Sequence, residues 1–304
     1  MNTVTTQILV LFLISCVGYG AAKLGCFPPA TTKNLNKLLL YICVPCMVIS
    51  AAVGGERTYS EETAFLMLGC SAAMAIFLPI LGWLLNVLLH TPRANQPLCQ
   101  FMAMCGNIGF MGYPVVMAFF GTDAAFLNGL ATVCLNILMF GGAVVLLAHD
   151  QGEKPTLAPR DLLSPSLVAS VLALALFLLH VQLPAFLNGA LSSIGSITSP
   201  LAMMLIGASL VGVQPRSLLD WRLHVWTLLK QLVVPLAVWF LCKPWFPNLT
   251  VLGVMVVVLA LPVAAMTIVF ANQYNKDIDF AVRGIVATTL WSFVILPIIA
   301  LVIG

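Results

Sequence analysis

The chain has 304 residues, of which 61% are apolar and 8% are charged, against roughly 45 to 50% and about 25% in a typical soluble domain. Together with a mean hydropathy of +1.07, this composition excludes a soluble globular protein. The net charge of +3 is small and the basic residues are scattered, so a nucleic-acid-binding surface is not expected.

Apolar segments follow one another along almost the whole chain. About 20 apolar residues cross a hydrocarbon core about 30 Å thick, so ten crossings would occupy roughly 200 positions. A window of about 19 residues predicts ten spans near residues 7–23, 35–53, 63–89, 98–120, 124–148, 163–180, 188–212, 222–242, 249–273 and 279–302. Such long continuous runs favour helices over the short alternating strands of a barrel, and they predict an all-α membrane protein.

The connections between these spans are short, so any site is expected inside the bundle or at its mouths. Basic residues concentrate on the side of the membrane that holds the connections after odd-numbered spans. Only Arg57 and Lys243 fall on the opposite side. The basic face carries Lys23, Lys33, Lys37, Arg93, Lys154, Arg160, Arg216, Arg222, Lys276 and Arg283. The positive-inside rule then predicts external termini and a cytoplasmic connection at 149–161, in a plasma membrane such as the bacterial inner membrane.

Proline spacing indicates an internal repeat. Pro29 and Pro184 are 155 positions apart, and Pro45 and Pro200 have the same separation. A repeat of five spans must re-enter from the other side, so the halves are predicted to be inverted repeats, an arrangement common in secondary transporters. The repeats would occupy residues 1–150 and 163–304, joined by a linker at 151–162.

The fourth predicted span contains an irregular run, Gly-Asn-Ile-Gly-Phe-Met-Gly-Tyr-Pro, at residues 106–114. Pro114 lacks a backbone donor, while Gly109 and Gly112 let the chain leave helical geometry. A half-helix starting near Pro114 would point free N–H groups at the bilayer centre, and Pro262 marks a similar break in the ninth span. Two such ends would form an anion site. Alternatively, these residues only permit close packing and a kink.

These segments together resemble the auxin efflux carrier family, in the wider group that includes the bile acid sodium symporters. The resemblance is carried by Gly18-Tyr19 and by residues 38–45, 106–114, 199–210, 230–235 and 260–272. It implies a ten-helix fold of two inverted repeats, in which broken helices four and nine cross. It also implies transport of small organic anions such as malate, malonate or auxin, by an elevator-like movement.

The chain differs from the plant carriers and from the sodium-coupled relatives in ways that matter. Of the Asn-Pro-Asn-Thr-Tyr run that plant carriers place at the fourth-span break, only Asn107 matches, and the central connection is short. The chain is similar to compact bacterial members. Since no Asp or Glu falls at mid-depth in any predicted span, sodium coupling is not indicated.

A few polar residues fall inside predicted spans. Asn107 could donate its amide to a substrate carboxylate or could cap the break. Ser50 and Asn136 are candidate wall residues, with interhelical hydrogen bonding as the alternative. Lys230 needs a partner at depth, and three are open: carbonyls freed at a helix break, the interface reached by snorkelling, or the bound anion.

These patterns predict a secondary transporter of small organic anions whose partners are its substrate and the lipid bilayer. No cofactor or metal is expected, because the histidines lie at span ends and none is within a turn of another on one helix. No catalytic set is visible. The alternatives are an anion channel and, more remotely, a membrane thiol oxidoreductase using Cys43 and Cys46. The assembly is left open between a single copy and a homodimer.

Overall fold

A computed structural model describes residues 3–53, 59–143, 146–147, 165–211 and 220–303. The predicted linker at 151–162 lies outside these residues. The first half contains α1 (Thr3–Lys23), α2 (Pro29–Leu38), α3 (Val44–Val53), α4 (Glu61–Leu88), α5 (Gln96–Met104), α6 (Tyr113–Phe120) and α7 (Ala124–Ala143). The second half contains α8 (Pro165–Leu178), α9 (Ala185–Ser196), α10 (Thr198–Ser209), α11 (Trp221–Leu228), α12 (Val234–Cys242), α13 (Leu249–Ala260), α14 (Met266–Gln273) and α15 (Ile278–Ile303).

The predicted all-α class is confirmed for the described residues, whose regular elements are all helical. Within the part of the chain that the structure describes, five helical runs are long and apolar enough to cross a membrane: Ala30–Val53, Glu61–Leu88, Ala185–Ser209, Trp221–Cys242 and Ile278–Ile303. Shorter apolar helices are Leu9–Lys23, Ile108–Phe120, Ala124–Met139, Leu167–Leu178 and Leu249–Ala260. Each predicted span overlaps one of these segments. The count of ten crossings and the inverted repeat stay predictions.

Three of the helical runs contain a five-residue π-turn, and each π-turn ends two residues before a proline. The turns are Leu39–Cys43 before Pro45, Ile108–Gly112 before Pro114, and Leu229–Val233 before Pro235. A proline ring clashes with the carbonyl four residues earlier and leaves that carbonyl without its N–H donor. The wider π-turn accommodates both effects without ending the helix.

Close helix crossings depend on glycine. A Cβ atom added to Gly18 of α1 would overlap the backbone of Met204 in α10, and one added to Gly207 of α10 would overlap the backbone of Ser15 in α1. Small residues bring helices together in this way in membranes, where close van der Waals packing drives association. The pair α1 and α10 is therefore held by direct backbone apposition.

Helix α13 forms the centre of the molecule. Its residues from Val251 to Ala260 are all buried, and it packs against α4, α6, α7, α12 and α15. Helix α6 packs against α7 and α13 and also against α1 and α10. The end of α13 is consequently enclosed within the bundle, where any backbone group it leaves free must find a partner.

Candidate functional site

Two helical runs are interrupted where they meet in the middle of the bundle. Helix α5 ends at Met104 and α13 ends at Ala260, and the extended residues that follow pair in an antiparallel bridge between Gly106 and Val263. We call this place the crossing and define it by residues 105–109 and 260–266. The N–H of Asn107 donates to the Pro262 carbonyl at 2.8 Å, and the N–H of Ala264 donates to the Cys105 carbonyl at 2.8 Å.

Asn107 caps the helical run that leaves the crossing. Its Oδ1 accepts the Phe110 N–H at 3.3 Å, and its carbonyl accepts the N–H groups of Met111 and Gly112, both at 3.0 Å. Its side chain is buried, with 9% of the residue exposed. The capping role considered from the sequence is thus present, while contact with an anion stays a prediction.

The start of this helical run differs from the predicted position. The α-helix does begin at Tyr113, beside Pro114, but the π-turn before it extends the helical run back to Ile108. Pro114 is buried inside this helical run rather than at its free end. The run continues because the π-turn accommodates the hydrogen bond that proline cannot donate. The positive end of the helix therefore lies at 107–109, where the first N–H groups are.

Lys230 and Gln231 hold the end of α13. The Lys230 ammonium donates to the Leu261 carbonyl at 2.5 Å, and the Gln231 amide donates to the Ala260 carbonyl at 3.1 Å. Both donors lie in the π-turn between α11 and α12. A positive charge at a helix C-terminus also complements the helix dipole. Of the three partners considered for Lys230, the structure presents the freed carbonyl, and its 2% exposure leaves no path for snorkelling.

The charge of Lys230 is not balanced by a carboxylate in the described part of the chain. The acidic residues of the described part lie at helix starts or in connections, and they are Glu61, Glu62, Asp123, Asp220, Asp277 and Asp279. A void of only about 10 Å³ adjoins Lys230, Gly106 and Ile108, room for at most one water. When it is protonated, the Lys230 side chain thus gives the crossing a positive potential, but it does not face a cavity of substrate size.

The two predicted glycines at the break have different surroundings. A Cβ on Gly112 would meet Asn128 Oδ1 at 3.0 Å and a Leu261 methyl at 3.2 Å, so Gly112 permits close packing. Gly109 is half-buried and has only the Leu40 side chain near its Cβ position, at 3.9 Å. The peptide at Gly109 is therefore the more accessible part of this helix start.

A polar cavity of about 260 Å³ opens between α3, α6 and α9. We call it the vestibule. It is lined by Ser50, Asp123, Asn188, Ser192 and Ser196, among others. The predicted wall residue Ser50 thus faces a cavity, and its hydroxyl donates to the Met47 carbonyl at 3.0 Å, which leaves its oxygen able to accept.

Tyr59 lies outside the helices and near Asp123, which lines the vestibule. Burial and, to a smaller extent, the nearby Asp123 carboxylate together raise the pKa of the Tyr59 phenol to about 12. Both effects disfavour a second negative charge here. Tyr59 is therefore a neutral hydroxyl throughout the physiological pH range.

The predicted site residues do not share one cavity. Asn107, Lys230 and Pro262 meet at the crossing, whereas Ser50 lies in the vestibule. Asn136 lies on α7, half-buried, and is not among the residues that line the vestibule. Its proposed role as a wall residue stays a prediction.

Three polar residues at the crossing were not singled out from the sequence. Besides Gln231, the Asn128 amide donates to the Ile108 carbonyl at 3.4 Å, and Thr288 Oγ1 accepts the Val263 N–H at 3.1 Å. All three are completely buried. The signal that could have found them is an amide or hydroxyl inside a mainly apolar span, since a broken helix needs outside partners.

Comparison with known proteins identifies the family. A family model described as "Membrane transport protein" matches residues 3–157 and 153–300. The chain belongs to this membrane transport family. The resemblance to the auxin efflux carriers is thereby confirmed at family level, and the chain is an integral membrane protein.

Several curated relatives of this transporter family align over most of the chain. An uncharacterised transporter of Methanocaldococcus jannaschii is 26% identical over 96% of each chain. An uncharacterised transporter of Escherichia coli K12 is 23% identical over 95% of this chain and 96% of the relative. A protein of Rhizobium meliloti named "Putative malonate transporter" is 23% identical over 69% of this chain and 68% of its own length.

Proposed function

We propose that this family member is a secondary transporter of small carboxylates and that the crossing attracts the substrate's negative charge. The observation that carries the proposal is Lys230, a buried cation with no described carboxylate partner, held at the point where two helical runs start. Helix starts present N–H groups and a positive dipole end, which favour anions without needing an arginine. A carboxylate near Gly109 would complement both the charge of Lys230 and the positive end of the helix.

The vestibule supplies a route toward this charge. Its hydroxyls and the Asn188 amide can hydrogen-bond a hydrated carboxylate while it loses water. The Asp123 carboxylate also lines the vestibule and repels anions, so the vestibule should pass a substrate on rather than bind it tightly. In this proposal the vestibule collects the substrate, and the crossing binds it after a movement that opens space beside Gly109.

An elevator-like movement is part of the proposal. Helix α6 contacts α1 and α10 as well as α7 and α13, and in this proposal sliding along α6 carries the crossing past the α1–α10 pair. Malonate is the first substrate to test, because one relative's name contains it. The potential of the membrane could drive such a movement, since an anion moves with the site.

Uptake into proteoliposomes tests transport directly. The purified chain should take up radiolabelled malonate saturably and should exchange it for unlabelled malonate inside. A channel would show conductance that does not saturate at low millimolar concentrations and no exchange. In detergent, malonate at a hundredfold excess over its dissociation constant should stabilise the folded protein by about 2.7 kcal/mol. Absence of binding by all small dicarboxylates would contradict the proposal.

Asn107 variants separate capping from substrate contact. Asn107→Ala removes the cap and should lower the free energy of unfolding by about 1 kcal/mol. Asn107→Ser keeps an acceptor for the Phe110 N–H but removes the amide donor, so stability should be largely retained. We expect both variants to bind malonate about tenfold more weakly, measured by calorimetry. Normal affinity in the stable serine variant would show that the amide serves only as a cap.

The charge bias of the connections predicts the orientation of the chain. Alkaline phosphatase fused after Gly304 should be active when the chain is expressed in a bacterium, because this enzyme folds only outside the cytoplasm. A fluorescent protein that matures only in the cytoplasm, fused at the same place, should be dark. The reverse pattern would contradict external termini.

A further inference from the structure

A second polar cavity, of about 250 Å³, lies away from the vestibule. It is formed by the connection after α4 and by the starts of α5, α11 and α15. The run from α5 to α6 begins beside this cavity and ends beside the vestibule, so the two openings lie at opposite ends of that run. We call it the arginine cavity, because Arg222 and Arg283 line it.

Both arginines are held in place by contacts other than ion pairs. Arg283 Nε donates to the Asp279 carbonyl at 3.2 Å, and its guanidinium lies 5.8 Å from the Phe280 ring centre. The Arg222 guanidinium lies 5.8 Å from the Trp221 ring centre. Neither forms an ion pair with a carboxylate of the described residues. Their remaining N–H groups can therefore serve a ligand.

One carboxylate lines the same cavity. Asp220 caps α11, since its Oδ1 accepts the Arg222 backbone N–H at 3.0 Å. The negative charge of Asp220 therefore lies at the start of α11, where the positive end of the helix dipole stabilises it. Two guanidiniums against one capping carboxylate leave the cavity with a net positive charge.

Neutral hydrogen-bonding groups complete the lining. Thr91 and Asn95, in the connection between α4 and α5, contribute a hydroxyl and an amide. The floor includes Leu223 and Trp226, which are buried. The cavity is smaller than the roughly 300 to 1,000 Å³ of pockets that enclose drug-sized ligands. It fits a small anionic group rather than a bulky molecule.

We infer that the arginine cavity binds a phosphate group, presented either by the headgroup of an anionic phospholipid or by free phosphate. Guanidinium groups match phosphate oxygens with paired hydrogen bonds. The cavity lies at helix ends, the level at which lipid phosphates meet a membrane protein, and basic pockets between spans take anionic headgroups there. It shares no lining residue with the vestibule, so this binding is distinct from substrate binding.

Thermal unfolding of the purified full chain tests this inference. The midpoint is measured in neutral detergent with added phosphatidylglycerol, with added phosphatidylcholine, or with inorganic phosphate at constant ionic strength. The variants are Arg222→Gln, Arg283→Gln and the control Arg93→Gln. Arg93 is an exposed arginine in the same connection that does not line the cavity. Arg222 is also exposed, so its variant should fold even if Arg283→Gln does not.

We expect phosphatidylglycerol to raise the midpoint of the original chain and of Arg93→Gln, with about tenfold weaker apparent affinity in Arg222→Gln or Arg283→Gln. If inorganic phosphate produces the same pattern, the source is free phosphate; if only the lipid does, the source is the headgroup. Either result supports the site. Equal responses to both lipids would overturn it and indicate a lipid effect that does not depend on net charge. An equal loss in Arg93→Gln would also overturn it and indicate only general attraction to basic surface.

Discussion

Replacing Lys230 with methionine is expected to abolish measurable malonate transport and to weaken malonate binding by more than tenfold. The substitution keeps the length of the side chain but deletes the positive charge at the crossing. It also leaves the Leu261 carbonyl without its donor, which costs about 1 to 3 kcal/mol when a buried acceptor stays unpaired. Removing a buried charge recovers desolvation free energy, so the net change in stability should be smaller. Proteoliposome uptake measures the loss of transport, and calorimetry measures the weaker binding of malonate.

Gln231 provides a matched control for this experiment. It lies next to Lys230, is equally buried, and donates to the adjacent Ala260 carbonyl, but it is neutral. Gln231→Met should therefore disturb the end of α13 as Lys230→Met does, while leaving the charge in place. We expect the Gln231 variant to retain most of its malonate affinity. Equal losses of affinity in both variants would show that Lys230 only braces the broken helix, and would remove the main support for an anion site.

Replacing Gly207 with alanine is expected to have the largest effect on folding. The added methyl group would overlap the Ser15 carbonyl of α1, and a backbone atom cannot move aside as the end of a side chain can. The two helices would have to separate along their contact, at a cost on the order of 3 kcal/mol. The expected result is a markedly lower midpoint of thermal unfolding and a reduced yield of monodisperse protein in detergent.

Gly20 is the control for this prediction. It also lies in α1, but a Cβ at this position would meet no heavy atom within 4 Å. Gly20→Ala should be neutral or slightly stabilising, because alanine favours a helix by roughly 1 kcal/mol over glycine. If Gly207→Ala folds with the stability of Gly20→Ala, the close apposition of α1 and α10 does not exist in the protein.

We expect the crossing to prefer anions because of the balance of its helix ends. The helices that enter it, α5 and α13, bring negative dipole ends, and Lys230 with Gln231 offsets that of α13. The helical runs that leave it bring positive ends, and only Asn107 caps one of them with a side chain. The expected result is a net preference for negative charge. The family to which the chain belongs is a family of transporters, and this electrostatic balance is what we expect an anion carrier to need.

Much of the architecture was determined by the sequence alone. Long apolar runs impose helices, because a chain in lipid must satisfy its own backbone groups. The break in the fourth span also follows from local sequence, since Gly109, Gly112 and Pro114 act on their own segment of backbone. These features need no knowledge of distant residues, and they were predicted correctly apart from the position at which the helical run begins.

The partners at the crossing were decided only by the tertiary structure. Lys230 contacts the carbonyl of Leu261, 31 positions away, and Gly106 pairs with Val263 from the other half of the chain. From the sequence, the charge of Lys230 could equally have reached the interface or an anion. Helix periodicity specifies which residues share a face, but the pairing of faces depends on close packing throughout the bundle, including the glycine contact between α1 and α10. A local pattern carries no such long-range information, which is why the sequence located the break and the fold alone assigned its partners.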